Sequence, residues 1–103
     1  MIPWWVGTLL GSVSLAVKNS MSRVWDMTPA HIALMQIPLL AAGLFYWYGF
    51  RNAPKFVNCW FLGTAFNALI AVALGLVFFD KSVSGTTIAG VSCVLTGAYL
   101  LIR

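Results

Sequence analysis

Hydrophobic residues run along the chain in four long stretches separated by short polar segments. The stretches cover about residues 4–21, 29–50, 56–79 and 85–102, and nearly all the charged residues lie between them or at their ends. Each stretch is close to the roughly 20 residues with which an α-helix crosses the hydrocarbon core of a bilayer. The pattern therefore predicts an all-α integral membrane four-helix bundle in up-down order, with residues 1–103 forming a single transmembrane domain.

Local signals support these boundaries. Thr28 can cap the second helix and Pro29 suits its first turn. A cleaved signal peptide is the competing interpretation of the first stretch, but no basic residue precedes it and no soluble domain follows a small-residue cleavage site. We therefore expect the first helix to be retained. Aromatic side chains lie mostly within a turn or two of a predicted helix end, as interfacial anchors do: Trp4, Trp5, Trp25, Tyr46, Trp47, Tyr48, Trp60 and Tyr99.

The overall composition excludes an ordinary soluble domain. Hydrophobic residues make up 61% of the 103 positions and charged residues only 8%, and the mean hydropathy is +0.92. A soluble chain of this size needs far more polar surface. The lipid bilayer is therefore the first partner that the sequence predicts.

The basic residues do not indicate nucleic-acid binding. The net charge is +4, but single lysines and arginines near helix ends are the usual interfacial pattern and form no basic cluster. With four crossings, three basic residues fall on each side: Arg51, Lys55 and Arg103 on one, and Lys18, Arg23 and Lys81 on the other. The positive-inside rule then favours neither orientation. The chain is expected to be able to insert both ways.

Catalytic chemistry is not indicated by the residue types present. Asp26 and Asp80 are the only acidic residues, and both fall in connectors. No nucleophile has a credible base, and neither a phosphate-binding loop nor a metal-ligand cluster is evident. We expect no enzymatic activity, no cofactor and no metal.

Small residues predict where helices approach closely. Gly7 and Gly11 are four residues apart in the first helix, and Gly90 and Gly97 are seven apart in the fourth. Without water to drive association, transmembrane helices meet through such small residues. We expect these four glycines to serve helix packing or a dimer contact rather than to touch a ligand.

Five polar or aromatic residues are the candidates for binding a substrate. Ser14 and Lys18 continue the face of the first helix that carries its glycines, while Trp60, Thr64 and Asn67 form a stripe on the third. Ser14 and Asn67 each fall about halfway along their helices. If the two helices are neighbours, these residues lie at similar depth and can line one polar site.

Each candidate also has a purely structural interpretation. Asn67 can hydrogen-bond a neighbouring helix, an interaction worth about 1 kcal/mol in lipid. Lys18 lies within about two turns of its helix end, so its ammonium can reach the interface. Trp60 can belong to the interfacial aromatic girdle.

Three segments resemble a known family. They are residues 7–20 (GTLLGSVSLAVKNS), 51–56 (RNAPKF) and 75–102 (GLVFFDKSVSGTTIAGVSCVLTGAYLLI). Together with the four-helix plan, they resemble the small multidrug resistance type of the drug/metabolite transporter superfamily. The segment LGSVSLAVK is also similar to the four-helix flippase-like subunits for aminoarabinose-modified lipid.

The resemblance implies a dimer. In the family, two protomers insert in opposite orientations into a bacterial-type inner membrane, and the first three helices line a substrate chamber. Helix four makes the dimer contacts through glycines that correspond here to Gly90 and Gly97. Pairing with a related subunit is the alternative to a homodimer.

One departure changes the function that the resemblance implies. The family places an essential glutamate in the middle of helix one, where this chain reads Gly-Ser-Val-Ser at residues 11–14. The absence of this acid disfavours proton-coupled multidrug efflux. We expect a protein that moves, or helps to move, a small amphipathic or lipid-like molecule across a membrane; the alternative is a non-transporting subunit or scaffold of a larger complex.

Overall fold

The computed structural model describes residues 2–79 and 84–102 and contains the four predicted helices. They are α1 (Trp4–Val24), α2 (Pro29–Asn52), α3 (Phe56–Leu74) and α4 (Gly85–Ile102), and α3 continues as a π-helical segment over Gly75–Phe79. The described part of the chain contains no β-strand. The all-α fold class is therefore confirmed.

Helix α1 runs three residues past the end that the apolar pattern predicts. It finishes at Val24, so that Arg23 belongs to its last turn instead of to a connector. At the start of α2, the Thr28 hydroxyl oxygen accepts a hydrogen bond from the backbone N–H of His31 at 3.2 Å, and Pro29 occupies the first turn. The predicted cap of α2 is confirmed.

Three helical segments are long and apolar enough to cross a membrane. These are α2, α3 with its π-helical continuation, and α4. They indicate a multi-pass membrane protein. Helix α1 is also long enough to cross a membrane, at 21 residues, but its serines, threonine, lysine and arginine make it the most polar of the four helices.

Helix α1 packs against both α2 and α3. Its start lies beside the end of α2, where the Tyr48 hydroxyl donates to the Ile2 carbonyl. Its other end lies beside the start of α2, where the Ser22 hydroxyl donates to the Met35 sulfur at 3.8 Å. Helix α4 packs only against α3 within residues 2–79 and 84–102. The contacts thus give a layer of helices in which α4 is the least covered.

The buried residues are small. Ala42, Cys59, Ala65 and Ala98 are the buried apolar residues of the described chain, whereas leucine, isoleucine, phenylalanine and tryptophan side chains are widely exposed. Such a surface would be unfavourable in water, and it suits contact with lipid tails or another protein. The tight packing therefore comes from backbones that approach closely rather than from large side chains.

Candidate functional site

The closest helix contact joins α1 to α2 at glycine. A Cβ atom added to Gly7 would lie 2.8 Å from the Phe45 carbonyl oxygen and 2.9 Å from Cδ1 of Tyr48. The reverse holds at Gly49, where an added Cβ would lie 2.8 Å from the Thr8 hydroxyl oxygen. These distances leave no room for a side chain. Gly7 therefore lies at the helix contact for which the sequence made it a candidate.

The α4 glycines lie in a different environment. A Cβ added to Gly90 or Gly97 would meet nothing within 4 Å. Gly11, by contrast, is buried under the Tyr46 ring, whose nearest atom would lie 2.9 Å from an added Cβ. The two α4 glycines thus make no close packing contact with the rest of residues 2–79 and 84–102, and their part in a dimer contact stays a prediction.

Tyr46 of α2 joins the three packed helices. Its hydroxyl donates to Oδ1 of Asn67 at a long 3.4 Å and lies 2.7 Å from the Ser12 hydroxyl. Since a tyrosine hydroxyl carries one proton, Ser12 is the donor of the shorter bond. The ring itself lies between Gly11 and Gly63, where an added Cβ would be 2.9 and 3.3 Å away. The half-buried Tyr46 side chain thus links three helices, and its assignment to the interfacial aromatics stays a prediction.

We call the close contact of α1 and α2 at Gly7 and Gly49 the α1–α2 seam. A second polar contact lies next to it. The Thr8 hydroxyl and the Cys59 sulfur are 3.2 Å apart, and both residues are buried. Cys93 is the other cysteine, and it is exposed on α4. Cys93 is exposed because no other helix of the described chain covers that face of α4.

A cavity of about 470 Å³ lies between α1 and α3, within the range of roughly 300–1,000 Å³ that small-molecule sites occupy. We call it the main cavity because two helices form it and it has several polar lining residues, whereas a cavity of about 600 Å³ is lined by α2 alone. One wall is polar and belongs to α1, and the other is mostly apolar and belongs to α3 and its π-helical end. The lining residues are Leu15, Ala16, Asn19, Ser20 and Arg23 on the first wall, and Asn67, Ile70, Ala71, Leu74, Gly75 and Phe79 on the second.

A smaller cavity of about 280 Å³ continues from the main one. Leu15 and Asn67 line both. The lining residues run from Cys59 to Phe79 along α3 and its π-helical continuation. These 20 steps, at no more than about 1.5 Å each, give a length of at most about 30 Å. This length is close to the thickness of a hydrocarbon core, about 30 Å. We call the two cavities together the α1–α3 groove.

Three of the five predicted binding residues line this groove. Trp60, Thr64 and Asn67 all border the smaller cavity, and Asn67 also borders the main one. The Thr64 hydroxyl donates to the Trp60 carbonyl at 3.1 Å. The Trp60 ring packs beside Phe56, with ring centroids 5.9 Å apart. The spacing along α3 thus brings these three residues to one surface.

The other two predicted residues, Ser14 and Lys18, border neither cavity of the groove. The Ser14 hydroxyl donates to the Leu10 carbonyl one turn back, at 2.9 Å. The polar α1 residues that do line the main cavity are Asn19, Ser20 and Arg23. Asn19 and Ser20 lie within the predicted apolar stretch and Arg23 lies just beyond its end at residue 21, so hydropathy alone did not identify them as a group. Their spacing of four and three residues is the signal that could have identified them as one helix face.

The described residues offer no metal site, since no three His, Cys, Asp or Glu side chains among them could hold an ion together. Comparison with known proteins adds no assignment: no protein-family model, curated protein or solved structure matches this chain. Function must therefore be inferred from the α1–α3 groove and the surfaces around it.

Proposed function

We propose that this protein binds a small amphipathic or lipid-like molecule in the α1–α3 groove and moves it, or helps to move it, across a membrane. The observation that carries the proposal is the groove itself, which follows α3 for about the thickness of a hydrocarbon core and, in its main cavity, sets polar residues of α1 against an apolar wall. A polar headgroup can bind the polar α1 residues of the main cavity and then Asn67, Thr64 and Tyr46 of the smaller one, while its tail stays among apolar side chains. Neither a uniformly apolar nor a uniformly polar groove would provide this.

In this proposal all four helices cross the bilayer in up-down order. Helix α1 is polar for a membrane span, but it buries Thr8 and Ser12 and turns Asn19 and Ser20 towards the groove. Polar residues of transmembrane helices are tolerated when they face the bundle interior or a cavity. The connector between α2 and α3 has only three residues, 53–55, and so short a link joins antiparallel neighbours.

We further propose that the functional unit is a dimer formed through α4. This helix packs only on α3 within the described chain, and Gly90, Cys93 and Gly97 form an open stripe of small residues on it. Close approach of two helices requires such a stripe. The even division of basic residues between the two sides supports two copies in opposite orientations, as the family resemblance implies; a related subunit is the alternative partner.

Cys93 offers a direct test of this dimer. It is the ninth of the 18 residues of α4, so two α4 helices that cross at their centres bring the two thiols together whether they run parallel or antiparallel. We expect copper phenanthroline, an apolar oxidant, to convert the wild-type protein in membranes to a disulfide-linked dimer. The Cys93→Ser variant should remain monomeric on a non-reducing gel, while Cys59→Ser should cross-link normally. Cross-linking that requires Cys59 would contradict the α4 interface.

Transport is tested by reconstituting the purified protein in vesicles with tail-labelled fluorescent phosphatidylglycerol or phosphatidylcholine. Dithionite quenches only the outer-leaflet label, so the rate at which the remaining signal becomes accessible measures transbilayer movement. We expect this rate to exceed that of protein-free vesicles for at least one of the two lipids. If neither lipid moves faster than it does in protein-free vesicles, the proposed function is contradicted.

The alternative, a non-transporting subunit, is favoured by one observation. Helix α4 buries only Ala98, which leaves most of its surface for a protein partner. This hypothesis predicts that the protein purifies in constant stoichiometry with a larger complex and gives no lipid movement when reconstituted alone. Proton-coupled cation efflux is less compatible with the groove, because no carboxylate is among its described lining residues.

A further inference from the structure

The polar wall of the main cavity is rich in hydrogen-bond donors and carries a positive charge. Arg23, Asn19 and Ser20 lie on one face of the last two turns of α1, and all three border the cavity. A guanidinium group has five N–H donors and no acceptor, while the amide and hydroxyl add further donors. No described residue lining the cavity is acidic.

The opposite wall fits an acyl chain. Ile70, Leu74 and Phe79 line it, and Ala71 and Gly75 leave space between them. The cavity volume of about 470 Å³ is too large for an inorganic anion alone and lies in the range of sites for larger organic ligands. The matching ligand therefore has an acceptor-rich head and an apolar tail.

We propose that the main cavity binds anionic amphiphiles, with Arg23 pairing with an oxyanion headgroup and the apolar α3 wall holding the acyl chain. The planar guanidinium can give two parallel hydrogen bonds to a carboxylate or phosphate, which an ammonium cannot. Asn19 and Ser20 supply further donors, and Asn67 lies at the deep end of the same cavity. This inference rests on the proposed function for the site, and it names the substrate class by headgroup charge.

The position of Arg23 on α1 supports this binding mode. It lies two residues before Trp25, whose ring stacks on His31 with centroids 4.6 Å apart. A tryptophan at a helix end is typical of the headgroup region. An anion at Arg23 would thus bind at the level of lipid headgroups, where a charged molecule needs little dehydration, while its tail points along the groove.

The test measures binding by native mass spectrometry of the full chain released from neutral detergent micelles. The probes share a 12-carbon chain and differ in headgroup: laurate, dodecyl phosphate and dodecyltrimethylammonium. We expect both anions to bind more tightly than the cation, and inorganic phosphate, which lacks a tail, not to bind. Comparison of laurate with dodecyl phosphate identifies which oxyanion is preferred.

Arg23→Gln should weaken binding of the preferred anion by about tenfold or more, since it removes charge-assisted hydrogen bonds. Arg51→Gln is the matched control, because it removes the same charge from the exposed end of α2, and Arg51 lines neither cavity of the groove. Arg23→Lys should retain part of the affinity. Equal affinities of wild type and Arg23→Gln, or tighter binding of the cation, would overturn the inference.

The outcomes also separate this inference from the proposed function. Arg23-dependent anion binding without transbilayer movement would overturn transport and leave the anionic site intact. Equal movement of phosphatidylcholine and phosphatidylglycerol, with no effect of Arg23→Gln on either rate or on binding, would support transport and overturn the anion preference.

Discussion

Gly7→Ala is expected to lower the free energy of unfolding by about 1–3 kcal/mol, the usual cost of overpacking a tight contact. The new methyl group would lie 2.8 Å from the Phe45 carbonyl oxygen and 3.1 Å from the Gly49 backbone nitrogen. Backbone atoms cannot rotate away as a side chain can, so α1 and α2 must separate. Reversible unfolding in a mixture of neutral detergent and dodecyl sulfate, followed by circular dichroism, measures the change.

Gly43→Ala is the matched control for this substitution. Gly43 also lies in the interior of a helix, but a Cβ added there would meet nothing within 4 Å. Alanine is favoured over glycine in a helix by roughly 0.5–1 kcal/mol, so this variant should be as stable as the wild type or slightly more so. If both variants have the same free energy of unfolding as the wild type, the α1–α2 seam at Gly7 is not the tight contact that we describe.

Ala71→Phe should lower transbilayer movement of the lipid probe by about tenfold, because overlap of the new ring with a bound ligand costs on the order of 1–3 kcal/mol. Ala71 lines the main cavity opposite the polar wall of α1. The Ala71 side chain is exposed in the described chain, so the larger ring can be accommodated without disturbing the α1–α2 seam. The measurement is the dithionite accessibility rate in reconstituted vesicles.

Ala73→Phe places the same ring two residues away, on another face of α3. Ala73 is exposed as well, and it borders neither cavity of the groove. This variant should move lipid at the wild-type rate. Circular dichroism spectra that match the wild type would show that both variants fold. Equal loss of movement in the two variants would mean that the bulk of the ring, rather than the groove, causes the effect.

The helices could be predicted from the sequence because burial in lipid requires long apolar stretches whatever the helices pack against. The end of α1 could not, since Ser22 and Arg23 resemble the start of a polar connector when judged by hydropathy alone. Arg23 instead belongs to the last turn of α1 and borders a cavity between two helices. Only a folded arrangement provides that environment.

The candidate site was predicted in part for a related reason. Trp60, Thr64 and Asn67 lie on the same helix, so helical spacing alone brings them to one face. The link from Ser12 through Tyr46 to Asn67 joins three helices, and spacing within one helix does not specify which faces of different helices meet. For α4, likewise, the glycine spacing identifies a helix face of small residues but does not identify what packs against it.

The polarity of α1 has a consequence for how the chain enters the membrane. Helix α1 carries Thr8, Ser12, Asn19 and Arg23. Inserting it into the bilayer by itself is unfavourable, because each polar group exposed to lipid raises the free energy of insertion. Helix α2 supplies the tight seam at Gly7, and Tyr46 supplies a partner for Ser12. In the proposed four-span arrangement, α1 is therefore expected to enter the membrane together with α2, as a hairpin.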